Sequence, residues 1–133
     1  MRILLIEDDV DDIELFEDAL RTHGGPYTID TLNDGNAALD YIGAAAGRPD
    51  VIVLDFNLPK VHGREVLRAV KSSALSSIPL VVLTTSSARE DRDYAIGRGA
   101  DQFFTKPTTL VDLHKIIEAI AGLATQGRPP AKE

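Results

Sequence analysis

Val51-Ile52-Val53-Leu54-Asp55-Phe56-Asn57-Leu58-Pro59 is the stretch that decides how the rest of the chain is read. Four apolar residues in a row, three of them β-branched, predict a short strand buried on both faces, and that strand ends abruptly in a carboxylate. Strands of this kind belong to parallel sheets, whose carboxyl ends are where ligands and chemistry collect. Asp55 is therefore the first candidate functional residue. An ordinary strand-terminating turn would also account for it, since Asp is common there and Pro59 closes a turn a few residues on. The flanking sequence separates the two readings.

Upstream, Ile3-Leu4-Leu5-Ile6 repeats the construction and runs straight into Glu7-Asp8-Asp9. Downstream, Ile78-Pro79-Leu80-Val81-Val82-Leu83 is a third apolar strand, delivering Thr84-Thr85-Ser86-Ser87 at its end. Tyr27 to Leu32 is shorter and more polar and suits an outer strand, and Gln102 to Thr105 is a brief fifth strand followed by Lys106-Pro107. Between the strands the apolar period changes to that of helices. Val10, Ile13, Phe16 and Leu20 mark a first helix to about His23, with Asp9, Asp11 and Asp12 in its first turn as surface charges complementing the helix dipole. Asn33-Asp34-Gly35 opens a second helix ending near residues 43–47. Val66, Leu67 and Val70 mark a third within Val61 to Ser73, and Ala88 to Arg98 is a charged, weakly amphipathic fourth that Gly99 stops. A last helix, capped by Thr108, turns Leu110, Leu113, Ile117 and Ile120 toward the core and Val111 and Ile116 elsewhere. Gly122 to Glu133 reads as a flexible C-terminal tail, leaving residues 1–121 as the one folded domain.

Alternating strands and helices joined by right-handed crossovers predict an α/β fold, a five-stranded parallel sheet with helices on both faces. Placing the three most apolar strands in the middle gives the order 2-1-3-4-5, the flavodoxin-like arrangement, with its switch point between strands one and three. A chain of 133 residues, 44% hydrophobic, fits one such domain. It has neither a membrane-spanning apolar run nor a basic leader, so a soluble cytoplasmic protein without membrane contact is expected. The absence of cysteine rules out disulfides, thiolate catalysis and zinc-thiolate sites. With 21 acids against 14 bases, a net charge of −7 repels phosphate backbones and argues against direct nucleic-acid binding. His23, His62 and His114 lack metal-ligand spacing and are expected to be solvated.

The predicted strand order brings Glu7, Asp8 and Asp55 to one rim. Three carboxylates close together repel, and tolerance of that repulsion points to a bound cation. All-oxygen donors favour a hard ion, and their small number favours magnesium over calcium, with a backbone carbonyl near Asn57 and waters completing the shell. Lys106 adds an ammonium to the same rim and Thr84 a hydroxyl. Together these groups suit a phosphoryl group: its charge is neutralised, its oxygens are hydrogen-bonded, and Asp55 can attack phosphorus.

At these positions the sequence resembles the receiver domain of bacterial two-component response regulators, over about residues 1–121. The residues carrying the resemblance are Glu7-Asp8, Asp55 followed by Leu58-Pro59 and Gly63, Thr84, Gly99-Ala100, and Lys106-Pro107, each at a predicted strand end or turn and in the family's order. The resemblance implies that Asp55 accepts a phosphoryl group from a partner histidine kinase, while Asp8, and Glu7 partly through water, hold magnesium. It further implies that Lys106 contacts the phosphate, that Thr84 moves toward it, and that Phe103 is the switch aromatic that swings inward as the loop after strand four closes. Helix four, strand five and helix five form a homodimer surface in this family. Glu7-Asp8-Asp9-Val10-Asp11-Asp12, Leu58-Pro59-Lys60, Thr84-Thr85 and Phe104-Thr105-Lys106-Pro107 look more narrowly like the stand-alone regulators serving phytochrome-type and related sensor kinases. Two positions depart from the pattern: His62 replaces a frequent acid, and Thr85 a usually smaller residue, which is expected to narrow access to the site. Asn57 and Ser86 match positions that tune hydrolysis of the phosphorylated state. With no effector domain after residue 121, the expected output is a protein partner or a dimer state.

Three other readings fit less well. A phosphohydrolase working through an aspartyl phosphate needs a general acid two residues beyond the nucleophile, where this chain has Asn57. A flavin carrier of the same fold needs a phosphate-binding loop after strand one, where this chain has Glu7-Asp8-Asp9. A binding-only relative of the receiver is disfavoured because every chemical position is filled.

Overall fold

A computed structural model of the chain describes residues 1–44 and 47–126. Strands and helices alternate as β1 (Arg2–Ile6), α1 (Val10–His23), β2 (Thr28–Leu32), α2 (Gly35–Ala44), β3 (Val51–Leu54), α3 (Gly63–Lys71), β4 (Leu80–Thr84), α4 (Arg89–Gly97), β5 (Gln102–Thr105) and α5 (Leu110–Gln126). The strands form one parallel sheet in the order β2-β1-β3-β4-β5, as the distribution of apolar runs predicts. Every residue of β3 and β4 is buried, because helices cover both faces, while the edge strand β2 is largely open.

Alternating side chains feed two cores. Leu4, Ile6, Ile52, Leu54, Leu80 and Val82 pack with residues of α2, α3 and α4. Ile3, Leu5, Val51, Val53, Val81 and Leu83 pack on the other face with residues of α1 and α5. Each such side chain contributes roughly 1.5–3 kcal/mol by burial, so the three central strands are the rigid support for whatever their ends carry.

The helix ends differ from expectation in informative ways. Thr109, not Thr108, caps α5, its hydroxyl accepting from the Asp112 N–H at 3.1 Å. Residues 113, 116, 117 and 120 make the buried i, i+3, i+4, i+7 stripe of that helix. Ile116 therefore faces the core, whereas Leu110, expected inside, lies in the first turn and is 61% exposed. Val10 is likewise exposed at the start of α1. The flexible tail expected from Gly122 does not begin there: α5 continues to Gln126, because Leu123 and Ala124 extend the apolar stripe against the core. Their packing offsets the roughly 0.5–1 kcal/mol that a helical glycine costs. The rest of the expected tail lies outside the described residues. His62 is exposed but has a task, capping α3 by accepting the Arg64 N–H on Nδ1 at 3.0 Å.

Two glycines position the segment after β3. A Cβ on Gly63 would stand 2.4 Å from Phe56 Cα and 2.6 Å from the Asp55 carbonyl oxygen, so only glycine lets α3 start against that backbone. A Cβ on Gly35 would stand 2.4 Å from the Val61 carbonyl oxygen. Hydrogen bonds from Gly63 N to Phe56 O (2.9 Å) and from Gly35 N to Pro59 O (3.3 Å) close both contacts. Within the segment Lys60 adopts φ +73°, a left-handed conformation uncommon outside glycine. Among the described residues no helix is long and apolar enough to cross a membrane.

Candidate functional site

The sheet register builds the site. Ile6 pairs with Leu54, and the Asp55 N–H donates to the Ile6 carbonyl at 3.0 Å, so Glu7 and Asp55 leave adjacent strands side by side. Glu7 and Asp55 are both 4% exposed, while Asp8 lies open to solvent. Carboxylate oxygens of Glu7, Asp8 and Asp55 all lie within 4.8 Å of one another. Two strands away, Thr84 pairs with Thr105, and Lys106 N donates to the Thr84 carbonyl at 2.7 Å. That register carries Lys106 Nζ to 2.8 Å from Glu7 Oε1 and 3.1 Å from Asp55 Oδ2. The acids and the lysine that the sequence singles out therefore share one pocket.

The electrostatics follow from burial and pairing. Burial, against the opposing pull of the Lys106 hydrogen bond, pushes the Glu7 carboxyl up from 4.5 to about 7, and the neighbouring Asp55 charge adds to the rise. For Lys106 burial acts the other way, but hydrogen bonds to Asp12 and Glu7 and the charges of Asp55 and Glu7 outweigh it, holding the ammonium above its ordinary range. Asp55 Oδ1 accepts the Asn57 N–H at 3.0 Å while Oδ2 meets Lys106, which fixes the carboxylate plane.

The hydroxyl wall stands opposite. Thr84 is fully buried, and its Oγ1 accepts from Asn57 Nδ2 at 3.3 Å and from the Ser86 N–H at 3.4 Å. Asn57 Nδ2 also donates to Thr85 Oγ1 at 2.8 Å, so the exposed Thr85 and the amide lie across the same opening. Ser86 donates to Asp91 Oδ2 at 2.5 Å, and Arg64 holds the other oxygen of Asp91 from α3 at 2.5–3.0 Å. The Ser86 hydroxyl, ahead of Arg64, keeps the Asp91 carboxyl below its ordinary value. Phe103 is buried and meets Phe56 edge-on at 6.1 Å, so in this structure the aromatic already lies inward.

Two features escape the sequence reading. Asp12, expected to be a surface charge, places Oδ2 2.6 Å from Lys106 Nζ, nearer than either strand-end acid. No local spacing signals it, since Asp8 lies before the helix and the partner Lys106 is 94 residues away in sequence. Asp91, one charge among several on the weakly amphipathic α4, ties the loop after β4 to α3.

A buried carboxylate beside an ammonium, with an exposed acid, hydroxyls and an amide around the opening, can neutralise and hold one small anion. The same oxygen-only cluster has the donor chemistry of a hard-cation site. This is the architecture of a signalling phosphoacceptor module, and the chain belongs to the response regulator receiver domain family, which it matches over residues 3–118. Within the family, it is 37% identical to the response regulator Rcp1 of Synechocystis sp., over 89% of this chain and 84% of that protein. It is 39% identical to the probable methanogenesis regulatory protein FilR2 of Methanothrix harundinacea, over 89% and 79% of the respective chains. The phosphorylated cyanobacterial phytochrome response regulator RcpA shares the fold with a TM-score of 0.85 and 36% identity, covering 98% of both chains. The Mn(2+)-bound form of Rcp1 shares it with a TM-score of 0.84 and 34% identity, covering 96% of both.

Proposed function

We propose that this domain is a phosphoacceptor unit in which Asp55 takes a phosphoryl group from the phosphohistidine of a sensor histidine kinase of the phytochrome-type or a related class. The observation that carries this reading is the convergence of Lys106 on Glu7 and Asp55, at 2.8 and 3.1 Å, beside a carboxylate cluster that spans no more than 4.8 Å. Glu7, Asp8, Asp55 and the backbone carbonyl of Asn57 would hold a magnesium ion, a reading supported by the manganese-bound form of Rcp1. When bound, the ion supplies charge neutralisation for the acids and for the phosphoryl oxygens.

In the transfer an Asp55 carboxylate oxygen attacks phosphorus, the phosphorus–nitrogen bond of the donor breaks, and the departing imidazole nitrogen keeps the electron pair and takes a proton. Lys106 offsets the charge of the incoming group, and the Asn57 N–H bond leaves the Asp55 carboxylate aimed into the pocket. Asp55 is itself the acceptor, so the protein takes part in phosphotransfer without turning over a separate substrate. Thr84 would exchange its bonds to Asn57 and Ser86 for a phosphoryl oxygen, drawing the loop after β4 inward, with Phe103 held inward as a brace. Thr85, Asn57 and Ser86 would set how readily water reaches the acyl phosphate. The change is read on the α4–β5–α5 face, where Ile96 offers exposed apolar surface for a second copy. Incubation with a labelled small phosphodonor and magnesium is expected to label the wild type and leave Asp55→Asn unlabelled. Equal labelling of both would overturn the assignment.

A further inference from the structure

Lys106 is met by one carboxylate that lies outside the converging cluster. Its ammonium has three N–H donors, and three carboxylates meet it: Asp12 at 2.6 Å, Glu7 at 2.8 Å and Asp55 at 3.1 Å. Glu7 and Asp55 belong to the cluster whose oxygens converge, whereas Asp12 stands outside it on the first turn of α1. The Asp12 side chain is 33% exposed against 5% for the other two, so it reaches the lysine from the mouth of the pocket rather than from its floor. Together with Glu7 and Lys106 it lines a small cavity of about 50 Å³ whose apolar wall includes Leu15, Phe16 and Leu113, where α1 faces the start of α5. Asp12 is not needed to cap α1, because Asp9 already accepts the N–H groups of Asp11 and Asp12, and the helix dipole favours an acid here without directing it to Lys106.

The consequence concerns what happens when Asp55 is loaded. An incoming phosphoryl group must take Lys106 from one of its resting acceptors, and the nearest acceptor is the one that takes no part in the carboxylate cluster. We propose that Asp12 is a positioning residue that acts through Lys106: it docks the ammonium on the α1 side and competes with the phosphoryl oxygens for it, restraining the loading of Asp55. The inference rests on the phosphoacceptor reading above and adds to it a control element carried by α1. Its charge has a second effect of opposite sign. A carboxylate near the cluster repels an anionic donor but attracts a divalent cation, so removing it should speed loading and weaken the cation.

That sign split is what a merely structural role would not produce. In Asp12→Asn, labelling by acetyl phosphate at saturating magnesium should be roughly fivefold faster than in wild type, a modest factor because Asp12 is partly screened by solvent. Magnesium titrated calorimetrically into the same variant should bind a fewfold more weakly, about two- to fivefold. Asp12→Glu, which keeps the charge within reach of the lysine, should return both values toward wild type. Thermal melts identify a variant that has not folded; in that event Asp12→Ser, which suits a first helical turn, takes its place and must show the same split. A labelling rate equal to wild type, or slower labelling together with weaker magnesium binding, overturns the proposal while the phosphoacceptor reading stands. Wild-type protein that takes no label at Asp55 overturns both.

Discussion

In metal-free buffer, raising the pH charges a carboxyl that the fold favours neutral, and the cost can be worked from the site. Glu7 is 4% exposed, and its carboxyl is pushed from 4.5 to about 7, chiefly by burial. Below pH 4.5 it is protonated in both the folded and unfolded chain, and the folded state keeps its full stability from this group. Between 4.5 and about 7 the unfolded chain gives up the proton while the folded one retains it, so stability falls as pH rises. The slope is about 1.36 kcal/mol per pH unit, and over the 2.5 units between the two values the loss is about 3 kcal/mol. Above pH 7 both states are ionised and the loss is complete. Urea unfolding with chelator at pH 5, 6, 7 and 8, on wild type and Glu7→Gln, isolates the term, because the amide keeps the shape and cannot titrate. Wild type should lose about 3 kcal/mol relative to the variant across the window and then run parallel to it. Saturating magnesium should flatten the decline, since a divalent ion bound at the Glu7–Asp8–Asp55 cluster would favour the charged form. A stability difference that stays constant from pH 5 to 8 in chelator, or that grows in favour of wild type, would refute the burial argument.

Gly63→Ala should cost about 3 kcal/mol in urea or thermal unfolding, because the new methyl meets backbone atoms 2.4–2.6 Å away and one of them is the Asp55 carbonyl oxygen. Unchanged stability would show that the start of α3 has slack. Phe103→Ala should cost about 3–5 kcal/mol in the unphosphorylated protein, since the ring is buried against Phe56. A melting temperature close to that of wild type would mean that the inward ring contributes no packing at rest.

The sheet and the floor of the site were legible in the sequence for the same reason. Apolar runs at residues 3–6, 51–54 and 80–83 reveal strands buried on both faces, and the residue after each run has nowhere to go but the rim. Glu7, Asp55, Thr84 and Lys106 could thus be assigned to one edge without coordinates. Asp12 could not be, because an acid in a first turn is what many helices carry. Its partner is defined only by the register of β5 on β4, which aims Lys106 back over α1. Asp91 was hidden similarly, its bonds to Arg64 and Ser86 spanning two elements whose mutual angle no local pattern encodes. Thr108 and Thr109 are adjacent hydroxyls of equal capping strength, and only the backbone path distinguishes them. The helical end of α5 at residues 122–126 was masked by a glycine whose cost the tertiary packing overrides.

The backbone between Asp55 and α3 is fastened at both ends by contacts into which no methyl group fits, at Gly63 and Gly35. One jaw of the pocket is thereby an anvil that cannot recede when a bulky anion arrives. The opposite jaw is the loop after β4, tied only by side-chain bonds: Thr84 to Asn57 across the opening and to Ser86, and Ser86 to Asp91. A group bound at Asp55 would therefore meet one wall that is fixed in place and one whose hydrogen bonds can rearrange.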